Sequence, residues 1–274
     1  MVAYSVLNSI RNLAILTFKG GLRTKVFITI VVLSVFASLI IIPSFASFSM
    51  RQVREVATSL SLSMISFVLL VLSLFLGIHL IYRDIEQRIT YFTLSLPISR
   101  EVYLLGKFAG ICLILIFSGA ILTAFSSLTL LISDRLYGAD LPVIWENYFA
   151  SVLMEIIKTI LILAFLMLFS SFSTNVFLPL FGTIGIYIIG NVSQSVYDYI
   201  QTAYAKKLPY ITVLMTKVVY YLLPNLSLYD YKFYAVYNLK ISVGNLFIAM
   251  VYWILSMAIS LSLALLVFRK REML

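Results

Sequence analysis

The sequence predicts an all-α integral membrane protein with six transmembrane helices, and its composition and apolar runs carry this prediction. Of its 274 residues, 62% are hydrophobic and 11% are charged. A soluble domain has about 45–50% apolar and about 25% charged residues. One soluble core of this size cannot hide the surplus apolar surface, so the chain requires lipid as its solvent. Six apolar runs of about 20 residues or more are long enough to cross a bilayer.

The six predicted spans belong to a single membrane domain that covers residues 1–274. The first span starts after a long basic segment and has 23 residues, so it is a retained helix rather than a cleaved secretory signal. The predicted spans are 26–48, 58–81, 104–132, 148–172, 175–197 and 245–268.

The distribution of Lys and Arg predicts that both termini are cytoplasmic. On that orientation the inner segments 1–25, 82–103 and 269–274 hold 10 basic residues in 53 positions. The outer segments hold 8 in 71, and positive charge favours the inner side. We interpret the net charge of +9 as basic anchors for anionic membrane lipid rather than as a nucleic-acid site.

Two segments are apolar without being convincing spans. Residues 1–22 carry a helical apolar stripe and predict an amphipathic helix on the inner membrane surface, followed by a bend at Gly20-Gly21. Residues 208–223, between Pro209 and Pro224, are mostly apolar but marginal in length. We interpret them as a re-entrant or interfacial helix of a Tyr-rich outer loop. The alternative is a seventh span, which the basic C-terminal cluster Arg269–Arg271 disfavours.

The connection between the second and third spans predicts a short amphipathic helix with both signs of charge. Its apolar positions recur at helical spacing, and Asp84 and Arg88 form an i,i+4 pair on another face. Leu96 precedes Pro97, so the helix should stop there. The apolar positions are Tyr82, Ile85, Ile89, Phe92 and Leu96. This element is either a docking site for a soluble partner or a connector lying on the membrane surface.

The order of residues around this connection is similar to that of a known transporter family. Glu86, Thr90, Pro97-Ile98-Ser99-Arg100 and Gly106-Lys107 occur in sequence, and Ile189-Gly190-Asn191 and Leu223-Pro224-Asn225-Leu226 occur later in the chain. With these residues the chain resembles the permease subunits of ATP-binding-cassette exporters of the ABC-2 type.

This resemblance implies an assembly of two permease chains above two cytoplasmic ATP-binding subunits, in a prokaryotic plasma (inner) membrane. Residues 1–22 would be its elbow helix and 83–101 its coupling helix. ATP and Mg would bind the partner subunit. Separately, the almost purely apolar spans and the Tyr-rich outer loop lead us to expect an amphipathic or lipid-like cargo. The residues that the resemblance assigns to ATPase coupling are Arg83, Asp84, Glu86, Arg88, Thr90, Pro97 and Arg100.

The sequence lacks the motifs or residues expected for ATP binding, for metal clusters and for secondary transport. The chain has no phosphate-binding Gly-x-x-x-x-Gly-Lys motif, so the ATPase must be another chain. Only one Cys and one His are present, which argues against metal clusters, and we expect no directly bound cofactor and no enzyme activity. Ionisable residues are scarce in the spans, which disfavours a secondary transporter. That function, or a membrane scaffold without an ATPase, remains the alternative.

Three polar or small-residue patterns leave their roles open. Glu155 and Lys158, near the outer end of span four, are expected to pair with each other. Gly106-x-x-x-Gly110 and Gly182-x-x-Gly185 allow close helix packing, either within the chain or at a dimer seam. Four serines of span two either line a path or bond to their own preceding turn. They are Ser59, Ser61, Ser63 and Ser66.

Overall fold

A computed structural model describes residues 2–49, 52–86, 99–137, 143–173, 175–202 and 209–270 of the chain, and for residues 2–5, 81–86, 136 and 137 it describes the backbone alone. No strand occurs in these ranges, so the all-α prediction is confirmed. The helices are α1 (Val2–Leu22), α2 (Lys25–Ser47), α3 (Val53–Glu86), α4 (Arg100–Tyr137), α5 (Trp145–Phe172), α6 (Phe177–Gln201), α7 (Tyr210–Leu222), α8 (Lys232–Val236) and α9 (Val243–Lys270).

Six of these helices, α2 to α6 and α9, are long and apolar enough to cross a membrane, as predicted. Several extend beyond the predicted limits because polar residues near their ends are packed inside the protein. Arg54 in the first turn of α3 is 7% exposed and donates from Nη2 to the carbonyl of Val236. Asn147 near the start of α5 donates its amide to the carbonyls of Tyr234 and Leu239.

Helix α5 lies at the centre of the bundle and packs against α3, α4, α6 and α9. Of its most apolar 18 residues 61% are buried, against 28% for α2 and α6 and 17% for α9. Trp253 of α9 donates its indole N–H to the carbonyl of Ile157 at 2.8 Å, which fixes α9 on α5. The broad apolar faces of α2, α6 and α9 therefore remain on the outside of the monomer, where lipid or another chain has to cover them.

The predicted N-terminal helix is present as α1 and packs along α4. Its buried face includes Ala14 and Thr17, whereas Leu7 and Leu16 of the apolar segment are exposed. The bend predicted at Gly20-Gly21 is misplaced, because the helix continues to Leu22 and the turn follows it. Thr24 then caps α2 by accepting from the N–H of Phe27 at 3.3 Å. The lie of α1 on a membrane surface stays a prediction.

The close contact between α1 and α4 depends on two glycines of α4. A Cβ on Gly106 would lie 2.6 Å from Leu13 Cβ. One on Gly110 would lie 2.5 Å from Thr17 Cβ and 2.8 Å from the carbonyl oxygen of Ala14. Of the two roles left open for this glycine pair, the structure therefore supports packing within the chain.

Helix α7 has 13 residues and is about 20 Å long, too short to cross a hydrocarbon core of about 30 Å alone. The chain then bends by 51° into the segment that begins at Leu226. We call residues 223–242, which include a 3-10 turn at Leu226–Tyr229 and the short helix α8, the cap segment. This arrangement suits a re-entrant or a broken span. The cap segment packs against α3, α5 and α6 at the end of the bundle where α3 and α5 begin.

We predict that Gly110→Ala lowers the free energy of unfolding by about 1–3 kcal/mol, because its methyl group would overlap α1. The matched control is Gly185→Ala on α6, where a Cβ meets no atom within 4 Å. That variant should be neutral or slightly stabilising, because Ala favours a helix over Gly. Unfolding titrations in detergent micelles measure both, and equal stabilities of the two variants would contradict this account of the α1–α4 contact.

Candidate functional site

The structure describes only part of the residues assigned to ATPase coupling. Arg83, Asp84 and Glu86 lie in the last turns of α3, and their side chains are outside the described atoms. Arg88, Thr90 and Pro97 fall in 87–98, outside the described residues. Arg100 is described and is the first residue of α4. Within 83–101 the described residues are helical at 83–86, as the end of α3, and at 100–101, as the start of α4, so the separate coupling helix stays a prediction.

Arg100 links the predicted coupling loop to the last transmembrane helix. Its Nη1 donates to the carbonyl of Arg269 at 3.2 Å, near the C-terminal end of α9. One turn further along α4, Tyr103 stacks on Phe268 with 6.4 Å between ring centroids. Both aromatic side chains are 2% exposed, so this is a packed junction rather than a surface contact. The start of α4 and the end of α9 therefore form one unit.

At the opposite end of the bundle, polar side chains of the spans hold the backbone of the cap segment. Ser151 of α5 donates to the carbonyl of Tyr231 at 2.9 Å. Tyr252 of α9 accepts from the N–H of Asn225 at 3.0 Å, and the Asn225 amide donates to Gln194 of α6 at 2.6 Å. The bonds from Ser151, Tyr252, Arg54 and Asn147 satisfy backbone groups that apolar surroundings would otherwise leave unpaired.

The two later patterns of the resemblance, Ile189-Gly190-Asn191 and Leu223-Pro224-Asn225-Leu226, are in contact in the structure through Gly190 of α6. A Cβ there would lie 2.7 Å from Leu226 Cγ and 2.8 Å from the carbonyl oxygen of Pro224. The glycine therefore lets the turn at Pro224–Leu226 lie directly against α6. Asn225 closes this turn by accepting at Oδ1 from the Ser227 N–H and hydroxyl.

Glu155 and Lys158 form the predicted ion pair, with 3.5 Å between Glu155 Oε1 and Lys158 Nζ and side-chain exposures of 14% and 5%. Ser66 of α3 donates to the same Glu155 oxygen at 2.6 Å, and Lys158 Nζ lies 5.5 Å from the centre of the Tyr187 ring. The pair was expected near the outer end of its span. Because α5 begins at Trp145, Lys158 instead lies about 20 Å along a helix of about 42 Å, near its middle.

A cavity of about 240 Å³ opens beside this ion pair, between α3, α5, α6 and the cap segment. Much of the lining is polar or charged, and includes Ser66, Glu155, Lys158, Tyr187, Asn191 and Lys232.

A second cavity, of about 280 Å³, lies nearer the start of α3 and shares Lys232 with the first. Its lining includes Gln52, directly before α3, and Glu55 and Ser59 of α3. Ser63, one turn beyond Ser59, accepts a short hydrogen bond from the ammonium group of Lys232. One polar face of α3 therefore extends from the residue before its start to its middle. It consists of Gln52, Glu55, Ser59, Ser63 and Ser66.

The sequence analysis did not identify this polar face as a unit, although its signal was present. The five residues recur at spacings of 3, 4, 4 and 3, which is the period of one helix face. Of the four serines singled out, Ser61 does not belong to it: it is fully buried in the bundle. In the part of the chain that the structure describes, no cluster of acidic, His and Cys side chains could hold a metal ion.

We predict that Glu155→Ala lowers the free energy of unfolding by about 3–5 kcal/mol, because it leaves the Lys158 cation buried without a carboxylate. The double variant Glu155→Ala/Lys158→Met removes both charges and should recover most of that loss. Glu146→Ala, an exposed acid in the first turn of the same helix, is the control and should change stability by less than about 0.5 kcal/mol. Denaturant titration in detergent tests this, and additive losses in the double variant would refute the coupling.

Comparison with known proteins agrees with the resemblance drawn from the sequence. A search among curated proteins finds no match to the chain. A family model described as "ABC-2 family transporter protein" matches residues 11–273, almost the whole length. Membership of this family makes the chain a membrane transport component of an ABC system, and it implies partnership with an ABC ATP-binding subunit. With its six apolar helices, the chain is a multi-pass membrane protein that belongs to the ABC-2 type transporter permease family.

Proposed function

We propose that this protein is the permease subunit of an ATP-driven exporter, which forms the translocation path and couples to a separate ATP-binding subunit. The observation that carries the proposal is the family match over residues 11–273. The junction of Arg100 and Tyr103 with the end of α9 supports it, because a force applied to the preceding loop would reach two transmembrane helices at once.

In this proposal the loop 83–101 receives the motion of the partner subunit, which binds ATP and Mg. Glu86 is its most sensitive polar residue, since a carboxylate at the border of the apolar face can accept charge-assisted hydrogen bonds from a basic group of the ATPase. Arg83, Asp84, Arg88, Thr90 and Pro97 contribute to the same docking surface.

The active assembly in this proposal contains two permease chains, either two copies or one copy and a close relative. The exposed apolar faces of α2 and α9 support this, because a monomer of this shape leaves much apolar surface for lipid or a second chain to cover. The cargo is amphipathic or lipid-like. An apolar groove of about 570 Å³ between α6 and α7 is suited to a hydrocarbon chain.

A second candidate is a secondary transporter without an ATPase. The buried Glu155–Lys158 pair favours it, because ionisable groups inside a membrane bundle frequently form ion or proton paths. Binding of an ATP-binding subunit, with ATP hydrolysis that depends on the permease, distinguishes the two candidates.

We predict that Glu86→Ala weakens retention of the ATP-binding subunit or uncouples its ATP hydrolysis from transport, and that Glu86→Lys has a larger effect because it reverses the charge. A docked, partly desolvated carboxylate contributes about 1.5–3 kcal/mol, which corresponds to at least about tenfold in retention. Glu146→Lys, at the start of α5 and the far end of the bundle, is the matched control. Co-purification of the complex and cargo-stimulated ATP hydrolysis are the measurements, and wild-type values of both in Glu86→Lys would reject the assignment.

We also predict that both termini are cytoplasmic, in a prokaryotic inner membrane. The basic residues Arg269 and Lys270 in the last turn of α9 support this orientation. A reporter that is active only in the cytoplasm, fused after Leu274, should be active. Activity of a periplasm-specific reporter at the same position would place the C-terminus outside and overturn the prediction.

A further inference from the structure

Two opposite charges are held one helical turn apart on the polar face of α3. The ammonium group of Lys232 donates to Ser63, and the carboxylate of Glu155 accepts from Ser66. Residues three apart on a helix have Cβ atoms about 5–6 Å apart. Lys232 and Glu155 both line the cavity of about 240 Å³, so a cation and an anion at neighbouring levels face the same space.

Several polar groups in this cavity have unused hydrogen-bonding capacity. Lys232 makes no ion pair with any acid that the structure describes; Asp230, a second acid of the cavity lining, accepts from its backbone N–H. Glu155 uses Oε1 for both Ser66 and Lys158, and Oε2 accepts from no described residue. Within the described ranges, the Tyr187 hydroxyl likewise has no hydrogen-bond partner.

Unused polar groups at this depth are costly unless something binds them. Glu155 lies about 15 Å along α5 from its first residue. In apolar surroundings, a polar group whose hydrogen bonds are not made destabilises the protein. A ligand with a single charge would be attracted by one of the two side chains, Lys232 or Glu155, and repelled by the other. A ligand with both an ammonium group and an oxyanion would satisfy both of them.

We propose that this cavity binds a small zwitterion, whose oxyanion contacts Lys232 and whose ammonium group contacts Glu155. The Tyr187 hydroxyl donates to the ligand or accepts from it, and Lys158 holds the Glu155 carboxylate in place. The same chemistry is offered by a soluble zwitterion and by the headgroup of a zwitterionic lipid. Binding needs no ATP-binding subunit, so the proposal holds whatever drives transport.

The test measures ligand binding to the purified full-length chain in nanodiscs made only of phosphatidylglycerol. The probe is glycerophosphoethanolamine, followed by calorimetry, with ethanolamine and glycerol 3-phosphate as single-charge probes. We expect saturable binding of the zwitterion and at least about tenfold weaker binding of each single-charge probe, because each lacks one charged contact.

Four variants separate binding from folding. Lys232→Gln should weaken binding at least about tenfold, and Lys232→Arg, which keeps the cation, should restore most of it. The matched control is Lys240→Gln, an exposed lysine of the same cap segment outside the cavity, which should bind like the wild type. Glu155→Gln/Lys158→Met should also lose binding, and it leaves no lone buried charge. Thermal unfolding in the same nanodiscs confirms that each variant is folded.

Nanodiscs containing phosphatidylethanolamine identify the source of the ligand. Competition between this lipid and the soluble probe indicates a headgroup site, and undiminished probe binding indicates a site for a soluble zwitterion; either result agrees with the proposal. The proposal is wrong if no saturable binding occurs. It is equally wrong if glycerol 3-phosphate binds as tightly as the zwitterion, or if folded Lys232→Gln binds like the wild type.

Discussion

Non-helical backbone inside a membrane protein has to find a hydrogen-bond partner for each carbonyl and amide, and this constraint organises the end of the bundle where α3 and α5 begin. The cap segment leaves helical geometry repeatedly between Leu223 and Ser242. Side chains from α3, α5, α6 and α9 supply partners for it, with Arg54, Asn147 and Tyr252 among them. The cap segment therefore ties α3, α5 and α6 to α9, which follows it directly in the chain, and it forms part of the walls of both neighbouring cavities.

The charged groups in the bundle interior likewise need partners from neighbouring helices. Lys158 is almost fully buried, and its cation meets both a carboxylate and the face of Tyr187. Glu155 in turn accepts from Ser66 across the α3–α5 contact. Each charge is thus stabilised by groups from more than one helix. A buried pair of this kind adds little to stability over an apolar pair, but it restricts how α3, α5 and α6 can be arranged.

The sequence predicted what depends on local pattern and missed what depends on distant contacts. Six spans and the Glu155–Lys158 pair follow from hydropathy and from i,i+3 spacing, and both are present. The partners of this site could not be predicted, because Ser66 is 89 residues from Glu155, and Lys232 is 169 residues from Ser63. Helix ends were underestimated wherever a polar residue such as Arg54 or Asn147 is buried, since hydropathy assigns such residues to loops. The spacing of Gly106 and Gly110 predicted a close helix–helix contact, but it did not identify α1 as the neighbouring helix.

Helix α4 has 38 residues and is therefore about 57 Å long, nearly twice the thickness of a hydrocarbon core of about 30 Å. It is joined to α9 at its first turn and to α1 along Gly106 and Gly110. A stiff rod of this length acts as a lever, since a tilt of about 5° about one end moves the other end by about 5 Å. A small rotation of α4 near Arg100 would therefore become a side-chain-sized displacement at the opposite end of the helix, without any change in its internal packing.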